Sequence, residues 1–482
     1  MNQENTSISS TPVDAPPLDI AIMAAGRGTR MKSRRAKVLQ PLAGQPLLAH
    51  VLRAVQPLGA RSITVVAGHA ASQVQAFCAA WNEKEQGSAL RVVIQQPQRG
   101  TGHAVQQAAP LLGNDGVALI LNGDGPMLHT DTLRRLLARA GSGTMALLTV
   151  DTGADAGAYG RVLREADGAV RAIREARDAA PEELAVTEWY SGCLAAPVAL
   201  LRRCLGMLDD NNAQHELYLT DVVHHAHTLG ASVQALCIAD AAQAAGVNTP
   251  AELAALERLW QRRRAEALME AGVRLADPAR LDVRGTLRCG QDVEIDVGCV
   301  FEGEVHLGDE VRIGAHCCIA NARIAAGARI APFTHIDGGA AGVTIDVGEG
   351  AQVGPFARLR PGAQLGREVH VGNFVEVKNS QLAAGAKANH LAYLGDASVG
   401  ARVNYGAGCI TANYDGANKH RTEIEADVHI GSNSTLVAPV RVGAGATVGA
   451  GSVITREVPP AVLAVRRAPQ RLRKDWQRPG KG

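Results

Sequence analysis

Chemistry in this chain is concentrated in a few polar strings that break an otherwise apolar or glycine-rich sequence. The first, Gly26-Arg27-Gly28-Thr29-Arg30-Met31, follows the apolar run Leu18 to Ala25. Glycines after a buried strand let main-chain N–H groups approach a phosphate, and Arg30 and Lys37 supply charge to neutralise it. Two glycines alone more often mark a tight turn. The second string, Gln95 to His103, offers an amide and free main chain that can read the edge of a base. The third, Asn122-Gly123-Asp124, sets a carboxylate at the end of an apolar run. A lone Asp there is commonly a helix cap, but beside a phosphate loop it fits a ligand for a hard cation, which needs one or two protein oxygens plus the substrate phosphates. Far downstream stand Asn389-His390-Leu391-Ala392-Tyr393-Leu394-Gly395-Asp396 and the polar stretch Thr411 to Glu425. His390 on its own reads as a structural histidine; its polar neighbours are what raise the functional reading.

The elements that must hold these strings are of two kinds. Upstream, apolar runs at Ser62 to Gly68, Leu90 to Gln95 and Val117 to Leu121 alternate with helical patterns. That order predicts a doubly wound, mostly parallel sheet with ligands beyond the carboxyl ends of its strands. Downstream, an aliphatic residue returns every sixth position, at Val353, Leu359, Leu365, Val371 and Val377, and again at Ile430, Leu436, Val442, Val448 and Ile454. A helix would need three- and four-residue intervals, so this repeat predicts a parallel β-helix over about 283–458. A plain scaffold or trimerisation rod would show the same beat; the polar interruptions at 389–396 and 411–425 are where a solenoid carries a site. Between the two regions, Thr249-Pro250-Ala251-Glu252 opens a helix with cap, proline and capping box, Leu253, Leu256, Trp260, Ala267 and Leu268 form its stripe, Arg262 to Arg264 its solvated face, and Gly272 its stop. The predicted domains are a loose tail at 1–17, a nucleotide domain at 18–250, a helical linker at 251–271 and a β-helix with C-terminal tail at 272–482.

Composition excludes several classes. A net charge of +2 with both signs interspersed gives no reason to invoke nucleic acid or membrane. Aromatic residues at 3% and 52 glycines suit a β-helix, whose turns demand small residues. Nine cysteines without a CxxC pair argue for free thiols in a reducing compartment, and no run is apolar enough to span a bilayer, so a cytoplasmic protein is expected. His224, His225 and His227 lack a fourth ligand at zinc spacing and read as ordinary helix residues.

The strings AAGxGTRM, QxxxxGTGHA, NAQxExYLTD, LRPGA, VGNFVEVK, HLxYLGD, GAGxITxNYDGxNK and RxPQ occur in one order over roughly 18–475. In this the chain resembles the bifunctional N-acetylglucosamine-1-phosphate uridyltransferase/glucosamine-1-phosphate N-acetyltransferase family. The resemblance implies an α/β, Rossmann-like nucleotidyltransferase domain, a linker helix and a left-handed parallel β-helix of hexapeptide repeats, assembled as a homotrimer. It implies acetyl transfer from acetyl-CoA to glucosamine-1-phosphate, then uridylyl transfer from UTP with Mg²⁺, giving UDP-N-acetylglucosamine for peptidoglycan and lipopolysaccharide. By the same resemblance His390 is the catalytic base, Arg360, Lys378, Tyr393 and Asn404 hold the sugar phosphate, and Asn413, Tyr414, Ser432, Ala450 and Arg467 hold acetyl-CoA. Met23, Ala24, Ala25, Gly26, Lys37, Gln95, Gly100 and Thr101 match nucleotide-binding positions, Gly160, Glu175 and Tyr190 sugar-side ones, and Asp124 with Asn248 the metal. The chain departs from the family at Ala36, Asn122 and Tyr190, where Pro, Tyr and Asn are usual. Three other readings compete: a monofunctional pyrophosphorylase with a structural or regulatory β-helix, a β-helical zinc enzyme drawing on His306, His316 or His335, and a purely structural trimer.

Overall fold

The computed structural model describes residues 16–85, 89–154, 156–339, 342 and 344–478. All but the end of the predicted 1–17 tail lies outside them. The chain divides between Glu257 and Arg258 into two compact units.

The first unit is built on nine strands: β1 (Leu18–Ala24), β2 (Ser62–Ala67), β3 (Leu90–Ile94), β4 (Val117–Asn122), β5 (Thr144–Val150), β6 (Arg161–Arg164), β7 (Val170–Arg174), β8 (Trp189–Pro197) and β9 (Ser232–Ile238). They order as β9-β5-β8-β4-β1-β2-β3, with the β6–β7 hairpin joined to β8. Helices cover both faces, so β1 is apolar except for the buried Asp19, which is paired with Arg61: Leu18, Ile20, Ile22 and Ala24 pack into one layer and Ala21 into the other. The sheet is parallel except around β8, which runs antiparallel to both β4 and β5. The loops after β1, β3 and β4 leave from neighbouring strand ends, which gathers Gly26, Gln95 and Asp124 at one edge.

The second unit is a three-sided parallel β-helix. One side is an eleven-stranded sheet; the other two join through Cys318–Ile324, which pairs with both His335–Asp337 and Ile345–Val347. Many sides show two residues of strand, one out and one in, as in Gln352/Val353, Arg358/Leu359 and Gln364/Leu365. The inward residues form one continuous core. Along the eleven-stranded side, residues in register run Gln352, His370, Lys387, Asn404, His429 and Thr447, coils of 18, 17, 17, 25 and 18 residues. The long coil holds the polar loop expected after Thr411.

Helix Pro250–Glu270 spans the division between the units. Thr249 Oγ1 accepts from Glu252 N at 3.1 Å as predicted, but the Glu252 carboxylate accepts from Asn248 N, one residue earlier than a capping box requires. Its buried positions also differ from the expected stripe. Ala267 is exposed, whereas Gln261, Ala265 and Leu268 are buried, and Arg263 and Arg264 are half-buried. Gln261 is buried because its amide pairs with both backbone groups of Val283, at 3.1 and 2.8 Å, acting as a surrogate strand for the first coil. Among the described residues no helix is long and apolar enough to cross a membrane.

Candidate functional site

In the first unit the strand ends line a cleft of about 700 Å³ that contains Met23, Ala24, Ala25, Gly26, Lys37, Gln95, Gly100, Thr101, Asp124 and Asn248. Gly28 takes φ +58°, and a Cβ there would lie 2.9 Å from Lys37 Cβ, so glycine lets the loop close over the lysine stem. Lys37 Nζ donates to the Asp124 carboxylate and, at 3.1 Å, to Asn248 Oδ1. Gln95 donates to Gly100 O at 2.8 Å, bracing the turn into helix Thr101–Ala108, and Thr101 Oγ1 accepts from Leu219 N at 3.0 Å.

Asp124 and Asn248 present two hard oxygens to one point, already shared by a cation, the Lys37 ammonium. That donor set fits Mg²⁺, which takes few protein oxygens and keeps water and substrate phosphates for the rest. Among the described residues no three His, Cys, Asp or Glu side chains gather as a metal site, and His316 instead stacks on Phe333 at 5.2 Å.

Gly160, Glu175 and Tyr190 are not among the residues lining the cleft; Gly160 and Tyr190 are buried and Glu175 half-buried. Burial raises the Glu175 carboxyl above its usual range, partly offset by the Thr220 hydroxyl donating to it at 3.0 Å. Tyr190 is buried in the layer under β8; its N–H donates to Gly160 O, and its hydroxyl has no partner. Opposite, the Asn122 amide reaches Ser191 O at 3.5 Å and occupies the space a Cβ at Gly192, φ +84°, would need. The cleft also takes Arg27, Gln98, Tyr159, Gln214 and Glu216. Arg27, Gln98, Gln214 and Glu216 lie inside the polar strings and Tyr159 precedes Gly160, but nothing in the sequence marks which of their side chains turn inward. Tyr159 is set by stacking on Trp189, centroids 4.0 Å apart.

On the β-helix, His390 is exposed at a corner, and its Nδ1 lies 2.9 Å from Asn373 Oδ1. The two share a register position on adjacent coils. An amide oxygen can only accept, so Nδ1 carries the proton and Nε2 is left as a lone-pair base facing outward. The same corner continues up the axis: Gly408 N donates to His390 O, Asn433 N to Ala407 O and Gly451 N to Ser432 O. His390, Ala407, Ser432 and Ala450 therefore form one column, rising about 4.8 Å per coil. Asn404 sits on the eleven-stranded side that His390 closes, its amide 3.5 Å from His429 Nδ1. Arg467 is exposed near the chain's end.

Tyr393 follows the corner, in register with Glu376, whose carboxylate accepts from Arg360 at 2.8 Å. At the far edge of that side Lys378 meets Lys419, a residue the sequence reading left without a role. The Lys419 ammonium, reinforced by burial and Arg360, pulls the Lys378 ammonium below the ordinary lysine range. Burial alone would raise the Asp396 carboxyl, but the Asn379 and Asn413 amides and the two lysines hold it below its usual value. Asn413 is thereby buried at the root of the 413–420 loop, and Tyr414 stands exposed on it. Asp415 stiffens the loop, accepting from Ala417 N, Asn418 N and His420 Nε2.

A MobA-like NTP transferase domain model matches residues 20–274, and a bacterial transferase hexapeptide model (six repeats) matches 421–456. The chain is 62% identical over 473 residues to a bifunctional protein GlmU of Paracidovorax citrulli, covering 96% of this chain and 98% of that one. It is 62% identical over 468 residues to the protein of that name from Polaromonas naphthalenivorans and 53% over 464 residues to that from an Azoarcus species, with 96% of this chain covered in both cases and 98% and 100% of theirs.

Proposed function

The chain belongs to the bifunctional GlmU family, and from that premise we propose how its two sites divide the synthesis of UDP-N-acetylglucosamine. It is a glucosamine-1-phosphate N-acetyltransferase and an N-acetylglucosamine-1-phosphate uridyltransferase.

For acetyl transfer the carrying observation is the exposed His390 with its Nδ1 tied to Asn373. Glucosamine-1-phosphate arrives as an ammonium; His390 Nε2 takes its proton, the free amine attacks the thioester carbonyl, and the C–S bond breaks to release CoA as thiolate, which is then protonated. Arg360, Lys378 and Lys419 clamp the phosphate dianion, Tyr393 and Asn404 contact the sugar, and the corner N–H groups steady the oxyanion. Ser432 and Ala450, further up the column, take the extended acetyl-CoA with Asn413, Tyr414 and Arg467. So many separated contacts suit a site completed by a neighbouring copy in a homotrimer. The stacked, exposed Phe333, Phe356 and Phe374 support self-association along the corner.

For uridylyl transfer the sugar-phosphate oxygen attacks the α-phosphorus of UTP as the bond to the β-phosphate's bridging oxygen breaks and pyrophosphate leaves. Positioning and charge neutralisation do most of the work. Met23 to Gly26 with Gly100 and Thr101 receive the nucleotide, Gln95 shapes the base pocket, Lys37 contacts phosphate, and Gly160, Glu175 and Tyr190 back the sugar. Asp124 and Asn248 would hold Mg²⁺, which when bound neutralises phosphate charge. The domains are 18–250, a linker helix at 251–271 and 272–482. Nine free thiols suit the reducing cytoplasm.

The test follows CoA thiol and pyrophosphate release separately, each half-reaction given its own sugar phosphate. His390→Ala is expected to lose only the first and Asp124→Ala only the second; loss of both signals in a well-folded single variant would refute two separate sites.

A further inference from the structure

Lys37 makes a contact that a phosphate-binding lysine does not need. Its ammonium is held by the two oxygens, of Asp124 and Asn248, that the metal reading above assigns to Mg²⁺. The pair is sheltered, with Lys37 and Asp124 side chains only 15% and 14% exposed, so screening by water is weak. Gly28 packs against the lysine stem, and Lys37 lines the same cleft as Gly26 and Arg30. A dication bound at short metal–oxygen distances and an ammonium cannot hold the same two oxygens. One must leave.

We propose that Lys37 is an exchangeable resident cation: it competes with the divalent metal for Asp124 and Asn248 and is released to the nucleotide's phosphates when the metal enters. This rests on the metal reading under Proposed function. Two consequences follow. Metal alone binds weakly, because it must expel an ammonium into an empty cleft. Metal with a triphosphate binds well, because the expelled ammonium finds phosphate oxygens beside it.

The experiment titrates the full-length protein with Mn²⁺ alone, reading free Mn²⁺ by electron paramagnetic resonance. Lys37→Met should bind Mn²⁺ about tenfold more tightly than wild type, the size expected for removing one sheltered like charge. Lys37→Arg keeps the charge and should stay near wild type. Arg30→Met removes a charge from the same cleft without freeing the two oxygens and should also stay near wild type. Asp124→Asn should abolish binding. In a parallel measurement on wild type, Mn²⁺ should increase acylation of the Lys37 amine, and in Asp124→Asn it should not. If Lys37→Met binds no tighter, or Arg30→Met tightens as much, while Asp124→Asn still abolishes binding, the competition is refuted and the metal reading stands. If Asp124→Asn binds Mn²⁺ like wild type, both fall. Should Lys37→Met fail to fold, unchanged Lys37 acylation on adding Mn²⁺ to wild type refutes the exchange by itself.

Discussion

The base proposed at His390 depends on Asn373, a residue given no substrate contact. An imidazole with a free Nδ1 divides itself between tautomers and rotates; an oxygen 2.9 Å away fixes both. Asn373→Ala should therefore lower kcat of acetyl transfer about ten- to a hundredfold with little change in KM, the pattern expected when a proton acceptor is misaligned. Asn373→Asp, which keeps an acceptor oxygen, should recover most of it. Lys378 and Lys419, the pair proposed to clamp the phosphate, show the opposite economy, two like charges held side by side. Lys419 pulls Lys378 below the ordinary value of 10.5. Between that lowered value and 10.5 the unfolded chain holds a proton that the folded chain has lost, so stability rises with pH through this window, and below it the repulsion is felt in full. Lys419→Met should flatten that alkaline rise in denaturant titrations and raise KM for glucosamine-1-phosphate about tenfold.

At the scale of the element, several corners of the β-helix are closed by a small hydroxyl side chain bonding back three residues: Thr334 donates to Ala331 O, Ser434 to Gly431 O and Ser452 to Gly449 O. Thiols fill the same column on adjacent coils and reach across to the next corner, Cys317 donating to Ala331 O and Cys409 to Gly431 O, while Ala357, Val375 and Ala392 fill it with apolar groups. Burial pushes the Cys299 thiol up to about 11 and Cys317 to about 12, and raises Cys409. Thiolates react and thiols do not, so mild alkylation followed by mass spectrometry should modify the exposed Cys237 and Cys318 quickly and leave Cys299, Cys317 and Cys409 until the protein is unfolded. This regularity is also why the solenoid was legible in the sequence. Val353, Leu359, Leu365, Val371 and Val377 are all buried because each side of a coil spends six residues. What was not legible lies between coils. Asn373 meets His390, Lys378 meets Lys419, and the Phe corner stacks, each through coil lengths that vary from 17 to 25 residues. A fixed sequence offset cannot find such pairs. The first unit's strand ends and glycine loop were readable for the same local reason, while the inward turn of Gln98, Gln214 and Glu216 depends on packing between distant segments.

At the scale of the whole molecule, each unit carries its own apolar core and its own polar cluster. The proposed trimer is then a demand of the β-helix alone. Its strongest physical sign is the corner where Phe333, Phe356 and Phe374 stack at centroid spacings of 5.0 and 5.3 Å, exposed to solvent in a chain with only five phenylalanines. The next rungs are Leu391, then Gly408 and Asn433, so the apolar ladder ends beside His390, where the column of small residues begins. An exposed ladder that stops at the base is where one copy would cover another and complete a site. All three phenylalanines have positive φ, which asparagine tolerates, so Phe356→Asn/Phe374→Asn should fold while losing the apolar surface. Covering one such ring is worth about 1.5–3 kcal/mol, roughly ten- to a hundredfold in association per ring. Sedimentation should find the double variant as monomers at concentrations where the wild type is assembled. Its acetyl transfer should fall with the assembly, recovering as protein concentration is raised, and its pyrophosphate release should hold. A variant that stays assembled with full acetyl transfer would show that the seam lies elsewhere on the prism.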